Sequence, residues 1–314
     1  ATAMRITTMS DRTLTVDGET ITLSHPDKVL FPEHGLSKSD LADYYQRVEP
    51  MMLPHLRGRP LTLHRFPDGI GAHGFYQQNR SDHFPDWLPA ASIDHPGGTG
   101  TVTHILCERA ADLVYLASQA TLTLHAWLSR VDRPHRPDQL VFDLDPPGDD
   151  FEPVRRAAWQ VGDALRDAGL TPFVKTTGSR GLHVVAPLKP GADFDRVRRA
   201  CRRLADHLVA RHPDALTAEQ RKNKRHGRLY LDIMRNAFGQ TAVAPYAVRA
   251  KPGAPVATPL DWNEVNDADI GPRRYRVDNL FRRLGQKDDP WADMAHHAAD
   301  IGTLETALRA WERD

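Results

Sequence analysis

Apolar and polar positions alternate in short runs through the first half of the chain and become strongly periodic in the second. Leu14-Thr-Val16 and Glu19-Thr-Ile-Thr-Leu23 flank Asp17-Gly18, which predicts a hairpin with an Asp-Gly turn. Residues 27–32 predict a short loop. Ser37, with Asp40 three residues on, predicts a capped helix start. Leu41, Tyr44, Tyr45, Val48 and Met52 then recur at helical spacing, and Pro54 and Gly58 are expected to end that helix. Strands are predicted over 61–66, 104–107 and 121–127, with a short helix over 109–118. Residues 68–100, rich in Gly, Pro, His and Asp, predict long loops. This half reads as mixed α/β.

The second half predicts a strand over 140–145, a helix over 152–168, strands over 171–176 and 182–188, a helix over 193–211 and a strand over 229–234. The order is β-α-β-β-α-β, the ferredoxin-like arrangement shared with RNA-recognition modules, with strand order 4-1-3-2. Residues 250–263 are expected to cross the surface. Two closing helices are predicted over 273–284 and 291–312, the last with a stripe of Leu304, Leu308 and Trp311. Four segments follow: an N-terminal extension and hairpin (1–23), an α/β module (24–127), an RRM-like module (128–250) and a C-terminal surface segment with helices (251–314).

Strand alternation puts Leu140, Phe142 and Leu144 on one face and Val141, Asp143 and Asp145 on the other. On the last strand Leu229, Leu231 and Ile233 share a face, so Asp232 points the other way. In the 4-1-3-2 order Asp232 lies beside Asp143 and Asp145 on the helix-free face, with His183 pointing the same way. Neighbouring carboxylates repel unless a cation intervenes or one is protonated. Hard oxygen donors suit Mg²⁺ or Mn²⁺, and such a trio can hold two ions about 3.5–4 Å apart for phosphoryl displacement. A strand end with two solvated acids before Pro146-Pro147 is the alternative for Asp-x-Asp alone.

Lys175-Thr-Thr-Gly-Ser-Arg-Gly-Leu-His183 joins two strands and is rich in glycine, hydroxyls and positive charge. Its backbone N–H groups and Arg180 could cradle a triphosphate. An ordinary hairpin loop, with Gly178 and Gly181 supplying positive φ, is the plainer alternative, and the neighbouring acids favour the cradle. The basic run Arg221–Arg228 leads into the Asp232 strand, and Arg249 is a further candidate phosphate clamp. Lys28, Lys38, Arg57, Arg59, His64 and Arg65, with Phe75-Tyr76, could form a phosphate pocket beside a stacking platform; surface charge with two core aromatics is the alternative. His125 reads as a wall residue, and His207 and His212 as surface residues.

Composition narrows the partners. The 314 residues carry 41 Lys+Arg and 41 Asp+Glu, so nucleic-acid binding must come from local patches. Two cysteines, Cys107 and Cys201, build neither a disulfide framework nor a zinc finger. The opening Ala-Thr-Ala-Met-Arg lacks an apolar signal core, and no run approaches a membrane span; a cytoplasmic protein with no membrane partner is expected.

Together, Leu140-Val-Phe-Asp-Leu-Asp-Pro146, Thr176-Thr-Gly-Ser-Arg-Gly-Leu-His183, Tyr230-Leu-Asp232 and Ala244-Pro-Tyr-Ala-Val-Arg249 resemble the polymerase domain of bacterial ligase D, of the archaeo-eukaryotic primase superfamily. Asp27-Lys-Val-Leu-Phe-Pro32 and Lys38-Ser-Asp40 match its N-terminal pattern, in order from about Leu23 to Arg249. The resemblance implies an α+β, archaeo-eukaryotic primase-like fold. It implies a primase-polymerase for end joining or gap repair that prefers Mn²⁺, often prefers ribonucleotides and binds DNA with a downstream 5′-phosphate. It implies Asp143, Asp145 and Asp232 as metal ligands and catalytic residues. Thr177, Ser179, Arg180, His183, Arg225 and Arg249 would surround an NTP or dNTP, with His125 near the sugar. Lys28 and Lys38 match DNA-contact positions, and Phe75-Tyr76 fall where a template-stacking pair lies. His64-Arg65 stands where many relatives carry a lysine for the 5′-phosphate. No Lys-x-Asp-Gly ligase motif is present, so a separate ATP-dependent DNA ligase and the Ku protein are partners by implication.

Two other readings remain. Leu-Val-Phe-Asp-Leu-Asp resembles the opening motif of haloacid-dehalogenase-type phosphatases, but Pro146-Pro147 and the β-α-β-β-α-β order do not fit that family. An RNA-recognition module would carry aromatics, not acids, on its open face.

Overall fold

The computed structural model describes residues 10–313. The reading of the first five residues as lacking a signal core, and residues 1–9 of the expected extension, lie outside the described residues. In chain order the elements are β1 (Arg12–Val16), β2 (Glu19–Leu23), β3 (Val29–Phe31), β4 (Leu36–Ser37), α1 (Lys38–Leu56), β5 (Leu61–Arg65), β6 (Phe75–Gln77), β7 (Ala90–Asp94), β8 (Thr101–Ile105), α2 (Ala110–Ser118) and β9 (Thr121–Trp127). There follow β10 (Gln139–Leu144), α3 (Glu152–Asp167), β11 (Phe173–Thr176), β12 (Leu182–Pro187), α4 (Phe194–Arg211), β13 (Leu216–Thr217), β14 (Leu229–Asp232), β15 (Thr241–Val243), β16 (Pro259–Leu260), α5 (Trp262–Val265), α6 (Leu280–Leu284) and α7 (Ile301–Trp311).

The second sheet runs β13-β14-β10-β12-β11-β16. Its centre is the 4-1-3-2 order that β-α-β-β-α-β connectivity requires, with β14, β10, β12 and β11 antiparallel to one another in turn. Leu140, Phe142 and Leu144 of β10 pack with Val154, Val161 and Leu165 of α3 and Val197, Leu204 and Leu208 of α4 in one apolar core. The helices therefore cover a single face of this sheet. Two edge strands were not anticipated: β13 lies parallel to β14, and β16 pairs with β11. Each has two residues, too few for a periodic signal, and the segment 250–263, expected to cross the surface, is instead buried from Ala254 to Leu260, where β16 joins the sheet.

The first sheet runs β15-β9-β5-β8-β7, with β6 also on β5. Leu61 and Leu63 of β5 and Leu122 and Leu124 of β9 pack with the buried stripes of α1 and α2. The capping box at Ser37 and Asp40 is present, but α1 continues through Pro54 to Leu56. A proline lacks the N–H of one helical bond, and the stripe from Leu41 to Leu56 is buried enough to carry the helix past it. The loops expected over 68–100 contain β6 and β7. In β7 only Ile93 is buried, and in β6 neither Phe75 nor Tyr76 is, so both strands lack an apolar alternation. The closing helices are shorter than expected. Asp289 accepts from Tyr246 Oη and the Trp291 backbone and lies 2.8 Å from His55 Nε2, which holds its segment out of helix. Asp300 then caps α7.

A third, smaller apolar cluster joins the sheets: Leu128, Val141, Val185, Phe194, Ala242 and Trp291. Val141 and Val185 come from the helix-free face of the second sheet, and Ala242 lies just inside β15 of the first. The two open faces thus meet, with a cleft between them. Among the described residues no helix is long and apolar enough to cross a membrane.

Candidate active site

Register places the acids. Asp143 is the direct cross-strand partner of Asp232 on β14 and of His183 on β12. Asp145 follows the end of β10 on the same face. His183 Nε2 lies 3.3 Å from Asp143 Oδ1, and Arg235 Nε lies 3.3 Å from Asp143 Oδ2. Burial alone would raise the Asp143 pKa, but His183 and Arg235 outweigh it and hold the carboxyl well below its usual range. Asp145 is raised by desolvation in the cleft and then by Asp143, with a further push from Asp232. Asp232 is raised by desolvation and by Asp143, against a hydrogen bond from the Met234 N–H. Mutual repulsion of this kind is what a bound cation relieves. His183 is pushed down to about 4 by burial and by Lys175, so at neutral pH it is a neutral imidazole against an anionic Asp143.

The loop Thr177–Gly181 is organised by one hydroxyl. Thr177 Oγ1 accepts from the backbone N–H groups of Ser179 and Gly181 and donates to the Gly181 carbonyl. Gly178 has the positive φ expected of it, at 65°. Gly181 does not; it is needed for space, because a Cβ there would lie 1.8 Å from the Leu144 carbonyl oxygen and 2.9 Å from Asp145 Oδ1. That close approach presses the loop against the end of the acidic strand. Arg249 Nη1 donates to the Thr177 carbonyl, and His125, Thr177, Ser179 and Arg249 line one small pocket with Asp143, Asp145 and His183. Exposed Arg180 donates to the Pro146 carbonyl and acts on Asp145. Arg225 lies over the Tyr230 ring at 4.4 Å and lowers Asp232, so the basic run reaches the edge of the site.

The first-half residues divide in two. Alternation on β5 and β6 sends His64 and Tyr76 to the cleft face, stacked at 4.0 Å, with His125 5.8 Å from Tyr76. Burial, then Arg249 and Lys251, push His64 down to about 4. Arg65 and Phe75 go to the helix-covered face, where Arg65 donates to the Gln119 carbonyl and Gln77 Oε1 and lies over Phe75. Phe75 and Tyr76 are 45% and 62% exposed, so neither is a core aromatic, but they do not form one platform. Lys38 is buried and donates to Ser24, with burial, Lys28 and Arg65 lowering its pKa. Lys28, Lys38 and Arg65 therefore make one cationic group, with Lys28 paired to Asp68. Arg59 belongs elsewhere: it is buried against Asp138. Arg57 bonds the Glu108 carbonyl. His207, expected on the surface, stacks on Trp311.

Arg235 and Arg273 had no part in the sequence-based expectation, and Lys175 entered it only as one charge of the glycine-rich turn. Arg235 is three residues after Asp232, in the turn that follows β14, and that basic residue at i+3 was the available signal. Lys175 starts the glycine-rich turn and is buried beside His183. Arg273 donates to the Ser179 carbonyl from a distant segment, with no local signal.

Carboxylate oxygens on adjacent strands fit hard divalent cations in kind and in backbone placement. As they stand, no three His, Cys, Asp or Glu side chains among the described residues are gathered closely enough to hold an ion. Asp143 is turned to His183 and Arg235, and Asp232 to the Met234 N–H, so side-chain rotation from these protein partners would precede ligation.

Residues 37–291 match the family model described as LigD, primase-polymerase domain. The multifunctional non-homologous end joining protein LigD of Mycolicibacterium smegmatis is 32% identical over 291 residues, 92% of this chain and 38% of that protein. The bifunctional non-homologous end joining protein LigD of Bacillus subtilis is 30% identical over 276 residues, 87% of this chain and 44% of that protein. The chain thus spans less than half the length of these relatives. Among solved structures, the polymerase domain from Mycobacterium tuberculosis ligase D in complex with DNA superposes with a TM-score of 0.83 at 33% identity, covering 88% of this chain and 99% of that one.

Proposed function

The chain belongs to the LigD primase-polymerase domain family, and from that premise we propose that it is a template-directed nucleotidyltransferase of DNA end joining and gap repair. It adds nucleotides, with ribonucleotides preferred, to a primer 3′-hydroxyl on gapped or broken DNA that carries a 5′-phosphate. The observation that carries this reading is the direct cross-strand pairing of Asp143 with Asp232, beside Asp145, next to the Thr177–Gly181 loop that the Thr177 hydroxyl organises. Asp143, Asp145 and Asp232 would hold two divalent ions, Mn²⁺ by preference. Bound there, the ions supply positive charge to the transferring phosphate and the departing pyrophosphate.

The chain's own residues do the positioning. The Thr177 hydroxyl fixes the loop beside the acids, and Arg180, Arg225 and Arg249 would surround a triphosphate with positive charge. Neutral His183 keeps Asp143 turned into the cleft. His125, its Nε2 buried without a partner among the described residues, is available to a sugar hydroxyl. Tyr76 offers an exposed ring to a template base, while Lys28, Lys38 and Arg65 offer charge to the DNA backbone on the other side of the sheet. A separate ligase and Ku are the partners that such an activity requires to complete a joint.

The test is primer extension on a gapped duplex with a 5′-phosphate, in Mn²⁺ with NTPs. The Asp143→Ala, Asp145→Ala double variant is expected to lose extension at least about 10³-fold. Extension at the wild-type rate by that variant refutes the assignment.

A further inference from the structure

Behind the carboxylate site, on the far side of His183, the two open sheet faces enclose a second cavity of about 370 Å³. His183 and Val243 line both spaces, whereas Lys175 lines only the larger one. Its inner wall is apolar, with Ala126, Val141, Val185, Ala244 and Trp291. Its floor is not. Lys175 is 2% exposed, and its Nζ has no hydrogen-bond partner among the described residues. The Nδ1 of His183, its cross-strand partner, is likewise buried and unpaired.

A buried amine without an acceptor is costly and unusual. The nearby acids do not supply one. Asp143 faces His183 and Arg235. Asp138 is taken by Arg59 and Arg130. Asp132 is exposed at the rim, 3.9 Å from Arg133. Arg130, Arg133 and Arg136 also line the cavity and give its surroundings positive charge. The volume is within the range of small-molecule sites, roughly 300–1,000 Å³.

We propose that this cavity binds a small amphiphilic anion: an apolar body of aromatic size bearing one carboxylate, which accepts a hydrogen bond from Lys175 Nζ. The apolar body fills the space between Val141, Val185 and Trp291. The buried Nδ1 of His183, without a partner among the described residues, would pair with a polar group on the ligand. The ligand is distinct from the nucleotide, whose charge would lie on the opposite side of His183.

The probe is 2-naphthoate, titrated by calorimetry into the full chain, with 2-naphthalenemethanol as its neutral analogue. Two variants accompany it: Lys175→Met, which keeps the packing and removes the charge, and Ala298→Trp, which fills the cavity from a half-buried position on its wall. Saturable binding of the carboxylate is expected, at least about tenfold tighter than the alcohol and weakened by about tenfold or more in each variant. The proposal is overturned if the carboxylate does not bind below about 1 mM, or if wild-type protein binds carboxylate and alcohol equally. Equal carboxylate affinity in either folded variant also overturns it. The comparison of the two probes on wild-type protein decides the matter even where a variant does not fold. None of these readouts involves nucleotide transfer.

Discussion

Lys175→Met should make the protein more stable at neutral pH, and the gain should fade as the pH rises. Burial, then Arg249, push the Lys175 amine from 10.5 down to about 7, against an upward pull from Asp143 and with a smaller downward push from Arg235. Below about 7 the amine is charged in both native and unfolded chains, and the native state bears the full cost of the buried charge. Above 10.5 it is neutral in both, and the cost is gone. Between those limits the unfolded chain binds the proton and the native one does not, so stability rises with pH by up to about 1.4 kcal/mol per unit. With half the native molecules protonated at pH 7, the cost there is about 4 kcal/mol, falling by about 2 kcal/mol at pH 9. Methionine retains the methylene packing and carries no charge, so it escapes this cost. Urea unfolding of both proteins at pH 7, 8 and 9, without added ligand, measures the difference. A gain at pH 7 that shrinks by about 2 kcal/mol at pH 9 is expected. A variant less stable than wild type at pH 7, or a gain of equal size at both ends, would show that the amine is not held as an unpaired buried charge.

Gly181→Ala should abolish extension and destabilise the protein by about 2 kcal/mol or more, because its Cβ would lie 1.8 Å from the Leu144 carbonyl oxygen; thermal melting and the gapped-duplex assay read both effects. Asn236→Ala should cost about 2–3 kcal/mol by urea melting, since the buried Asn236 amide bonds both the N–H and carbonyl of Val141 and the Ile233 carbonyl. His64 should stay neutral down to about pH 5, its ring resonances titrating near 4 by NMR, not near 6.5. The sign follows: with its native pKa depressed, His64 contributes no loss above about 6.5, and stability falls as the pH drops from there toward 4. His64→Gln should accordingly leave the pH dependence of 5′-phosphate binding between pH 6 and 8 unchanged, with the Lys28, Lys38 and Arg65 group carrying the charge.

How far each feature could be read from the chain depends on which physical constraint fixes it. The acids were legible because a strand has a side-chain period of two and β-α-β-β-α-β connectivity fixes strand order; Asp143 must then face Asp232 whatever the details of packing. The same rule, applied to 75–77, would have separated Phe75 from Tyr76. Both residues are exposed, so no apolar alternation marks them as a strand. The plainer alternative for the loop gave Gly181 a positive φ, but what the residue supplies is close approach, a distinction visible only once Leu144 is placed beside it.

The cations belong to a different class. Arg235, Arg249 and Arg273 reach the site from turns and from segments far apart in the chain, and long flexible side chains have no period to betray their direction. Lys175 is the instructive case. It occupies a regular strand position whose facing could be deduced, yet its burial depends on the first sheet closing over it, through Ala242 and Val243 of β15 and Trp291 beyond the catalytic module. A single RRM-like sheet would leave that amine in solvent at its ordinary pKa. Apposition of two open sheet faces gives His183 an Asp143-facing and a cavity-facing nitrogen, and leaves Lys175 without a partner among the described residues on the second side. Opening that sheet-to-sheet contact, for instance with Trp291→Ala, would therefore hydrate the amine and return it toward 10.5. The sequence-local acids would keep their register, because the β10–β14 pairing lies wholly within the second sheet.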